Sequence, residues 1–575
     1  MSQPDWIVLA ITLLSIIAYG LYKSRTSRNL EGYFLSDRTM PWWLVLLSIM
    51  GTQASAITFL SAPGQAFTDG MRFVQYYFGL PIAMVILCIT FVPLFNKVKV
   101  FTAYEFLEKR FDLKTRTFTS FLFLLSRGLS TGISIYAPSI ILSSLLGWDI
   151  FWTNIVMGGL LITYTVSGGA KAVAYTQQLQ LIIIFAGMFI AGYLIVHYLP
   201  DGIGFKDALK VSGASGKLNV ITTGISSKGF DWKDRYNLVS GVIGGFFLAL
   251  SYFGTDQSQV GRYLTAKSNT ESRLGLLMNG LVKVPMQFLI LLLGAMLFTF
   301  YQFNNAPVFF NKAVADKAME TPYRDSLMRI EQRFNQQQAV QHRLSRTYIM
   351  PNGEGVKDSL AAGARTLSGI QKEYQAVLKK AVPAADNNDT NYIFLRFVVD
   401  YLPKGLVGLL IAIIFLAAWG SIAAALNSLA ACSMIDFHLR LRGVQYDKGD
   451  EQKCLDEYRV SKYYTLAWGI FSVITAEFAT GMGSLIEAVN VLGSLFYGVI
   501  LGIFLVGFYF KKIGAQAVFI AAILGELIVI AFFFLDKYDI VGLGFLWLNV
   551  VGAVAVVLLG LIFQPLFRRP PVPSV

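Results

Sequence analysis

Charged residues are scarce in this chain. Asp, Glu, Lys and Arg together make up 14% of the 575 residues, whereas 55% are hydrophobic and the mean hydropathy is +0.56. Soluble domains carry about 25% charged residues, so this composition excludes a soluble protein. Apolar stretches of about 18 residues or more recur along almost the whole length, and each can cross a hydrocarbon core of roughly 30 Å as a helix. The sequence therefore predicts an all-α polytopic membrane protein.

Cysteine and histidine are also rare. Cys88 and Cys432 fall in apolar stretches and Cys454 falls in a loop, so no disulfide framework is expected. The three histidines are His197, His342 and His438. No metal-ligand spacing of His and Cys, glycine-rich phosphate loop or nucleophile elbow occurs in the sequence. We therefore predict that the protein is not an enzyme.

Hydropathy and the charges at the ends of the apolar stretches predict about thirteen membrane helices. They cover residues 5–22, 40–66, 72–96, 117–146, 149–166, 177–199, 237–258, 272–303, 392–436, 460–480, 484–510, 513–535 and 540–567. The first stretch has no small-residue cleavage site and is predicted to be a retained anchor helix. The stretch 392–436 is long enough to include a turn that does not span the membrane at its start.

The formal net charge of +13 is explained by topology rather than by a nucleic-acid partner. Lys and Arg cluster in alternate short loops, which the positive-inside rule places in the cytoplasm. These loops are Lys23–Arg38, Lys97–Arg116, Arg262–Arg273, Arg440–Arg459, Lys511–Lys512 and Arg568–Arg569. The N-terminus is then outside and the C-terminus cytoplasmic, in a multi-pass protein of the cell (plasma or inner) membrane.

One polar segment interrupts the membrane part. Residues 304–391 are rich in Glu, Gln, Arg, Lys and Ala, and helical spacing occurs at 320–347 and 357–382 around the turn-like MPNGEG at 350–355. This pattern predicts an extracytoplasmic helical hairpin. A solvated decoration without a role in function is the alternative interpretation.

Two spans contain clusters of small and hydroxyl residues. GTQASAITFLSAPG runs from Gly51 to Gly64, and AAWGSIAAALNSLAACSMID lies within 405–436. Such clusters indicate either unwound backbone that lines a cavity or close packing of helices. Unwound carbonyls and hydroxyls could bind a hard cation such as sodium, because such cations prefer oxygen ligands.

Ionisable residues within spans are a second signal, because a charge at the bilayer centre costs at least about 2.5 kcal/mol unless it faces a partner or water. The residues are Arg127, Asp256, Lys283 and Glu487. Lys283 shares one helical face with Asn279 and Gln287, which are four residues before and after it. This polar stripe is expected to face the inside of the helix bundle. Each charge marks either a solute pathway or a structural ion pair.

The segment FGTDQSQVGRYLT around Gly254 resembles a signature of the sodium:solute symporter family. Four further segments support the resemblance: SAITFLSAPGQAF at 55–67, VSGGAKAVAYTQQLQ at 166–180, NSLAACSMID at 427–436 and GSLFYGVILGIFLVGFYFKK at 493–512. The resemblance extends from about residue 30 to about residue 530. It implies a sodium-coupled symporter whose partners are the bilayer and a small solute, with sodium as the co-transported ion.

The resemblance also implies a LeuT-type fold, with two inverted repeats of five helices, one helix before them and two after them. The spans 40–66 and 237–258 would then be the broken helices. The chain divides into an N-terminal anchor helix and cytoplasmic loop (1–36), the first inverted repeat and the start of the second (37–303), the insertion (304–391), the remainder of the second repeat (392–510) and two C-terminal helices with a short cytoplasmic tail (511–575).

The resemblance implies a sodium site between the first broken helix and the eighth core helix. Aligned through Ser55 and Asn427, its ligands would come from Gly51, Ala54, Ala417, Gly420 and Ser421. Gly420 stands where the family usually has Ser, so one hydroxyl is missing and water is expected in its place. A second sodium site of some members needs an acid where this chain has Gln177, and we predict one sodium per substrate.

Sugar-transporting members have Gln and Glu where this chain has Thr58 and Tyr77, which disfavours a hexose. The segments SAITFLSAPG and IYAPSIIL are similar in sequence to the iodide, vitamin and monocarboxylate branch of the family. This similarity suggests that the solute is a small organic anion. Positions on or beside the presumed broken helices, or on the polar stripe, are the substrate candidates: Gln53, Ser55, Thr58, Gln75, Tyr76, Asp256 and Lys283. The alternatives are a proton-coupled or sugar/polyol transporter of the same fold, or a transport-derived solute sensor.

Overall fold

The computed structural model describes residues 2–23, 29–227, 229–383, 385–443, 451–479 and 484–567. These residues contain nine helices that are long and apolar enough to cross a membrane, ten with one bent pair counted as a span, and two shorter apolar helices. The predicted all-α membrane fold is confirmed, whereas the count of about thirteen is not. The predicted basic tail Arg568–Arg569 lies outside the described residues.

In the N-terminal part, one span is assembled from several short helices, and one long helix is kinked. The α-helices are α1 (Gln3–Lys23), α2 (Leu30–Leu35), α3 (Trp42–Gln53), α4 (Ala56–Asp69), α5 (Leu80–Ile86), α6 (Val92–Val98), α7 (Glu105–Arg110), α8 (Leu113–Leu146), α9 (Ile150–His197) and α10 (Phe205–Ala214). The 3-10 helix Met71–Tyr77 and the π-helix Leu87–Phe91 join α5 and α6 into one span. Helix α9 covers the predicted spans 149–166 and 177–199, with non-helical backbone at Gly169 (φ 61°, ψ −173°).

The C-terminal part begins after a short hairpin of β1 (Ile225–Ser226) and β2 (Gly229–Phe230). Its helices are α11 (Gly245–Thr255), α12 (Gln257–Tyr263), α13 (Asn269–Phe303), α14 (Lys312–Met319), α15 (Arg324–Ile349), α16 (Lys357–Ala381), α17 (Ile393–Tyr401), α18 (Leu406–Cys432), α19 (Leu439–Leu441), α20 (Glu451–Glu477), α21 (Leu485–Tyr509), α22 (Ala515–Lys537) and α23 (Leu546–Phe563). Short 3-10 or π segments flank them at Ser36–Arg38, Ser240–Gly244, Gly353–Val356, Thr390–Tyr392, Ser433–His438 and Gln564–Leu566.

Two spans are broken, and both breaks lie inside the stretches that the sequence predicts to be broken. Helices α3 and α4 are bent by 60° across Ala54 and Ser55, whose backbone is non-helical. Helices α11 and α12 meet at Asp256, which has extended backbone (φ −76°, ψ 116°) and caps α12 through its carboxylate. Backbone groups released at these breaks are available to a ligand inside the bundle.

Small residues let the broken helices approach their neighbours closely. A Cβ atom on Gly64 of α4 would lie 1.9 Å from the Thr390 carbonyl oxygen, and one on Gly245 of α11 would lie 2.5 Å from the Tyr76 carbonyl oxygen. Neither contact has room for a larger side chain. Part of the small-residue clustering therefore serves packing, as the sequence also allows.

The insertion contains a pair of helices, α15 and α16, that pack against each other and against α10 and α13. They lie where helical spacing predicts a hairpin. Gln341 of α15 donates a hydrogen bond from Nε2 to Gln302 Oε1 of α13 at 2.9 Å and another to the Leu360 carbonyl of α16 at 3.0 Å. A buried amide thus fixes the hairpin to a long membrane helix. The side of the membrane on which it lies stays a prediction.

Candidate functional site

A cavity of about 100 Å³ lies where the two broken helices meet α8 and α21. Its wall is formed by Gln53, Ser55, Ile57 and Thr58 at the first break, Tyr76, Tyr77 and Leu80 after it, Arg127 of α8, Gly245, Leu248, Ala249, Tyr252 and Phe253 of α11, and Ile486, Val489, Asn490 and Tyr497 of α21. The wall is mostly aromatic and aliphatic, with a few polar groups. This combination is typical of small-molecule sites.

Arg127 brings a positive charge to this wall. Its Nη1 lies 4.0 Å from Asp256 Oδ2, and its Cζ lies 5.9 Å from the centroid of the Tyr252 ring. Its Nε is buried without a hydrogen-bond partner among the described residues. The guanidinium therefore keeps donor capacity for an anionic group in the cavity.

Asp256 does not line the cavity but lies beneath Arg127. Its Oδ2 accepts a hydrogen bond from the Tyr497 hydroxyl at 2.9 Å. Its Oδ1 accepts bonds from the backbone N–H of Ser258 at 2.7 Å and from the Ser258 hydroxyl at 2.6 Å. The carboxylate is thus engaged in holding Arg127, Tyr497 and the start of α12, not in contacting the cavity.

Four of the predicted substrate residues share the cavity wall: Gln53, Ser55, Thr58 and Tyr76. Gln53 Oε1 is buried without a hydrogen-bond partner among the described residues. The Tyr76 hydroxyl donates to Asn490 Oδ1 at 3.0 Å and so connects the chain after the first break to α21. These groups offer hydrogen bonds to the hydroxyl and amide groups of a solute.

Gln75 and Lys283, also predicted for substrate, lie outside the cavity. Gln75 Nε2 donates to Thr222 Oγ1 at 3.0 Å and to the Tyr236 carbonyl at 2.9 Å, so it points to the loop before α11. Lys283 is fully buried on α13, with its Nζ 5.5 Å from the centroid of the Tyr77 ring. Because Tyr77 itself lines the cavity, Lys283 lies behind the wall.

A second cavity of about 60 Å³ shares Gln53, Ser55 and Arg127 with the first and reaches Ser421. Ser421 belongs to the predicted sodium site. Its hydroxyl donates to the carbonyls of Ala417 at 3.2 Å and Ala418 at 3.0 Å. Because the hydroxyl proton points back along α18, the oxygen lone pairs remain available to a cation. The sodium candidates and the solute candidates are therefore neighbours across the first break.

Gln177 of α9 joins α3 and α18 beside two further predicted sodium ligands, Gly51 and Gly420. Its Oε1 accepts from the Ser48 hydroxyl at 2.8 Å, and its Nε2 donates to Thr52 Oγ1 at 3.2 Å and to the Gly420 carbonyl at 2.9 Å. A Cβ atom on Gly51 would lie 2.9 Å from Gln177 Cβ. An uncharged amide that presents N–H donors is a poor substitute for a cation-binding carboxylate.

Sequence reasoning overlooked several members of the cavity wall. Arg127 carried a signal, an intramembrane charge, but it was not among the substrate candidates. Asn490 and Tyr497 are seven residues apart on one face of α21, yet nothing in the local sequence distinguishes them from other polar residues. Glu487, one turn earlier, forms an ion pair with Arg235 of a loop and does not line the cavity.

A largely helical membrane protein with two broken helices around an internal cavity has the architecture of a secondary transporter. The sequence model of the sodium:solute symporter family matches residues 33–322 and 364–525, which is most of the chain. This protein belongs to the sodium:solute symporter family. The unmatched residues between the two segments lie in the insertion.

Individual relatives agree with this assignment. A sodium/sialic acid symporter of Proteus mirabilis is 26% identical over 568 residues, which cover 98% of this chain and 95% of the relative. A sodium/glucose cotransporter of Vibrio parahaemolyticus is 24% identical over 535 residues, which cover 91% and 84%. The human sodium/iodide cotransporter is 29% identical over 282 residues, which cover 48% and 42%.

A solved structure of a Na⁺-coupled sialic acid symporter in a substrate-bound outward-open state covers 99% of both chains, with a TM-score of 0.75 and 23% identity. The predicted LeuT-type fold and the predicted family are confirmed. The protein is therefore a sodium-coupled solute transporter of the membrane and not an enzyme, with sodium as its co-transported ion.

Proposed function

We propose that this protein imports a small organic anion, a sugar acid or similar carboxylate, together with one sodium ion. The observation that carries the proposal is Arg127, a cation in the cavity wall with an unpartnered Nε. A guanidinium binds a carboxylate through two parallel hydrogen bonds. The solute carboxylate would bind there, next to Gln53 and Ser55 of the first break.

The rest of the wall supports a polyhydroxylated solute over a simple halide. Gln53, Thr58 and Asn490 provide amide and hydroxyl groups, and the Tyr76, Tyr77 and Tyr252 rings provide flat apolar surface. The full-length relative from Proteus mirabilis is a sialic acid symporter, and sialic acid is a sugar that carries a carboxylate. A neutral hexose would leave Asp256 as the anionic partner of Arg127 and would not use the unpartnered Nε of the guanidinium.

Sodium is proposed to bind through the carbonyls of Gly51, Ala54 and Ala417 and the hydroxyl of Ser421. The first break lies between this site and the solute cavity, since Gln53 and Ser55 face both cavities. Sodium would hold the break in the shape that presents these side chains to the solute. A coupling free energy of about 1–3 kcal/mol would raise solute affinity roughly 5- to 150-fold, and the solute would raise sodium affinity by the same factor.

The transport step is proposed to be alternating access, with the N-terminus outside and the hairpin insertion extracytoplasmic. The cavity of about 100 Å³ is smaller than the roughly 300–1,000 Å³ of ordinary ligand pockets. The arrangement described here is therefore more closed than one that holds a sugar acid. Opening toward either side would require the broken helices to move against α8 and α21.

The test is uptake by the purified protein in proteoliposomes. Radiolabelled N-acetylneuraminate is supplied with an inward sodium gradient, with a pH gradient in sodium-free buffer, or with neither. We expect concentrative uptake only with sodium, competition by other carboxylates and none by glucose. Uptake driven by the pH gradient alone would refute sodium coupling. Equal uptake of a neutral hexose would refute the anion proposal.

A further inference from the structure

Gly420 of α18 lies against the side chain of Gln180 in α9. A Cβ atom on Gly420 would be 2.5 Å from Gln180 Oε1, and 3.2 Å from Cγ of Gln177. A separation of 2.5 Å is well below a normal contact between carbon and oxygen. The amide oxygen of Gln180 therefore fills the space into which a serine side chain at position 420 would extend.

The two glutamines of this turn differ in their partners. Gln177 is hydrogen-bonded through both amide atoms, to Ser48, Thr52 and Gly420. Gln180 is 2% exposed, and its Nε2 has no hydrogen-bond partner among the described residues. A buried amide left partly unpaired is unusual, since most buried polar side chains are satisfied. Gln177 thus has a structural role, whereas the packing around Gln180 leaves its role open.

We propose that Gln180 supplies, through its Oε1, the sodium ligand that Gly420 lacks. The inference rests on the proposed sodium site and replaces the water expected from the sequence. Side-chain amide oxygens are ordinary ligands of hard cations. The set becomes five oxygens: the carbonyls of Gly51, Ala54 and Ala417, the Ser421 hydroxyl and the Gln180 amide.

The exchange preserves the charge of the site. An amide oxygen and a hydroxyl are both neutral, so the site keeps its preference for a monovalent cation. Gln180 enters from α9, whereas a serine would have entered from α18. Sodium then contacts α3, α9 and α18 at once, and its release affects the packing of all three helices.

Because the two side chains compete for one space, a double-mutant cycle tests the proposal. The variants are Gln180→Ala, Gly420→Ser and their combination, with Gln178→Ala as the control because Gln178 is the half-buried neighbour on the same helix. The readout is the sodium concentration that gives half of the maximal thermal stabilisation of the purified protein. It requires no transport.

Gln180→Ala is expected to raise this concentration at least tenfold, and Gly420→Ser alone is expected to raise it because the hydroxyl and the amide collide. The double variant should return to within about threefold of the parent, since the serine hydroxyl then has room. Gln178→Ala should leave it unchanged. Additive losses in the double variant, or an unchanged value for Gln180→Ala, would overturn the inference.

Gln180→Glu provides a second test that does not depend on creating space. A carboxylate keeps the oxygen and adds a negative charge, so the sodium concentration for half-maximal stabilisation should fall severalfold. If Gln180 only fills space, no gain in sodium affinity will occur. Failure of the proposed function is distinguishable, because the parent protein would then show no sodium-dependent stabilisation and both proposals would fall. Failure of the inference alone leaves the parent's sodium response intact.

Discussion

Arg127 and Asp256 lie 4.0 Å apart between Nη1 and Oδ2, and only Arg127 faces the solute cavity. Asp256 is occupied by Tyr497 and Ser258. Arg127 of α8 therefore places a positive charge at the cavity wall. Asp256, at the break of the second broken helix, holds this charge in position. A solute carboxylate would bind the Arg127 guanidinium while Asp256 keeps its hydrogen bonds to Tyr497 and Ser258.

Arg127→Gln should weaken binding of an anionic solute by about tenfold to a hundredfold, because the charge-assisted bond is lost. Arg127→Lys should have an intermediate effect, since lysine keeps the charge but lacks the planar pair of donors. The measurement is the KM for N-acetylneuraminate at saturating sodium. An unchanged KM in both variants would remove Arg127 from the solute site.

Asp256→Asn should destabilise the protein by about 3 kcal/mol, because Arg127 then remains buried without a counter-charge. Tyr497→Phe deletes one hydrogen bond to the same carboxylate and should cost about 1 kcal/mol. Thermal unfolding in detergent without solute compares the two variants. If Tyr497→Phe were less stable than Asp256→Asn, the Arg127–Asp256 ion pair would contribute little to the stability of the protein.

Ser421→Ala should raise the sodium concentration for half-maximal uptake, because one oxygen ligand is removed. Ser428→Ala is the matched control: Ser428 lies two turns further along α18 and bonds to the carbonyls of Ala424 and Gln257. The control should leave the sodium dependence unchanged. The sodium site is misplaced if both variants respond equally.

Gly64→Ala should destabilise the protein by at least about 2 kcal/mol, since the new methyl group would lie 1.9 Å from the Thr390 carbonyl oxygen and overpacking carries this penalty. Gly192→Ala on α9 meets nothing within 4 Å and should be neutral or slightly stabilising. Melting temperatures of the two variants test the contact. Equal melting temperatures would contradict it.

Stability of the insertion should increase as the pH is lowered from 7 to 5. Burial raises the pKa of Asp386 and of Asp389 from 3.8 to about 6. Between these values the folded state binds more protons than the unfolded state, so stability falls as pH rises through this window and levels off above it. Between pH 7 and pH 5 the change is on the order of 1 kcal/mol for each carboxyl.

Hydrogen exchange of α16 measures this pH dependence. Asp389→Asn mimics the protonated side chain and should flatten the profile, while Asp358→Asn, a change at an exposed position of the hairpin, should leave it as it is. A profile that rises toward alkaline pH in the parent would show that the two carboxyls are not the cause.

The local sequence predicted the two breaks, because the residue types that allow a helix to unwind lie in the unwound segment itself. Gln53, Ser55 and Thr58 were identified for the same reason, since they lie at the break itself. Tyr76 and Gln75 show the limit of this reasoning. They are neighbours in a 3-10 helix, yet Tyr76 faces the cavity and Gln75 faces a loop, and only the packing of that helix decides between them.

The far wall could not be predicted because it arises from tertiary packing. Asn490 and Tyr497 become part of the site only when α21 packs against α8 and α11. Lys283 was identified correctly as a buried charge, but it contacts the Tyr77 ring and does not itself line the cavity. The predicted spans 149–166 and 177–199 lie on the two sides of a kink at Gly169, where the backbone of α9 is non-helical.

The first broken helix is attached to the insertion. The Ser61 hydroxyl of α4 donates to Asn391 Oδ1 at 2.7 Å, and Asp389, two residues earlier, accepts from Gln375 of α16 at 3.1 Å. These bonds connect α4 to α16 of the hairpin through residues 389–391. A fluorophore on the exposed Lys372 of α16 would therefore report by light emission whether α4 moves during transport.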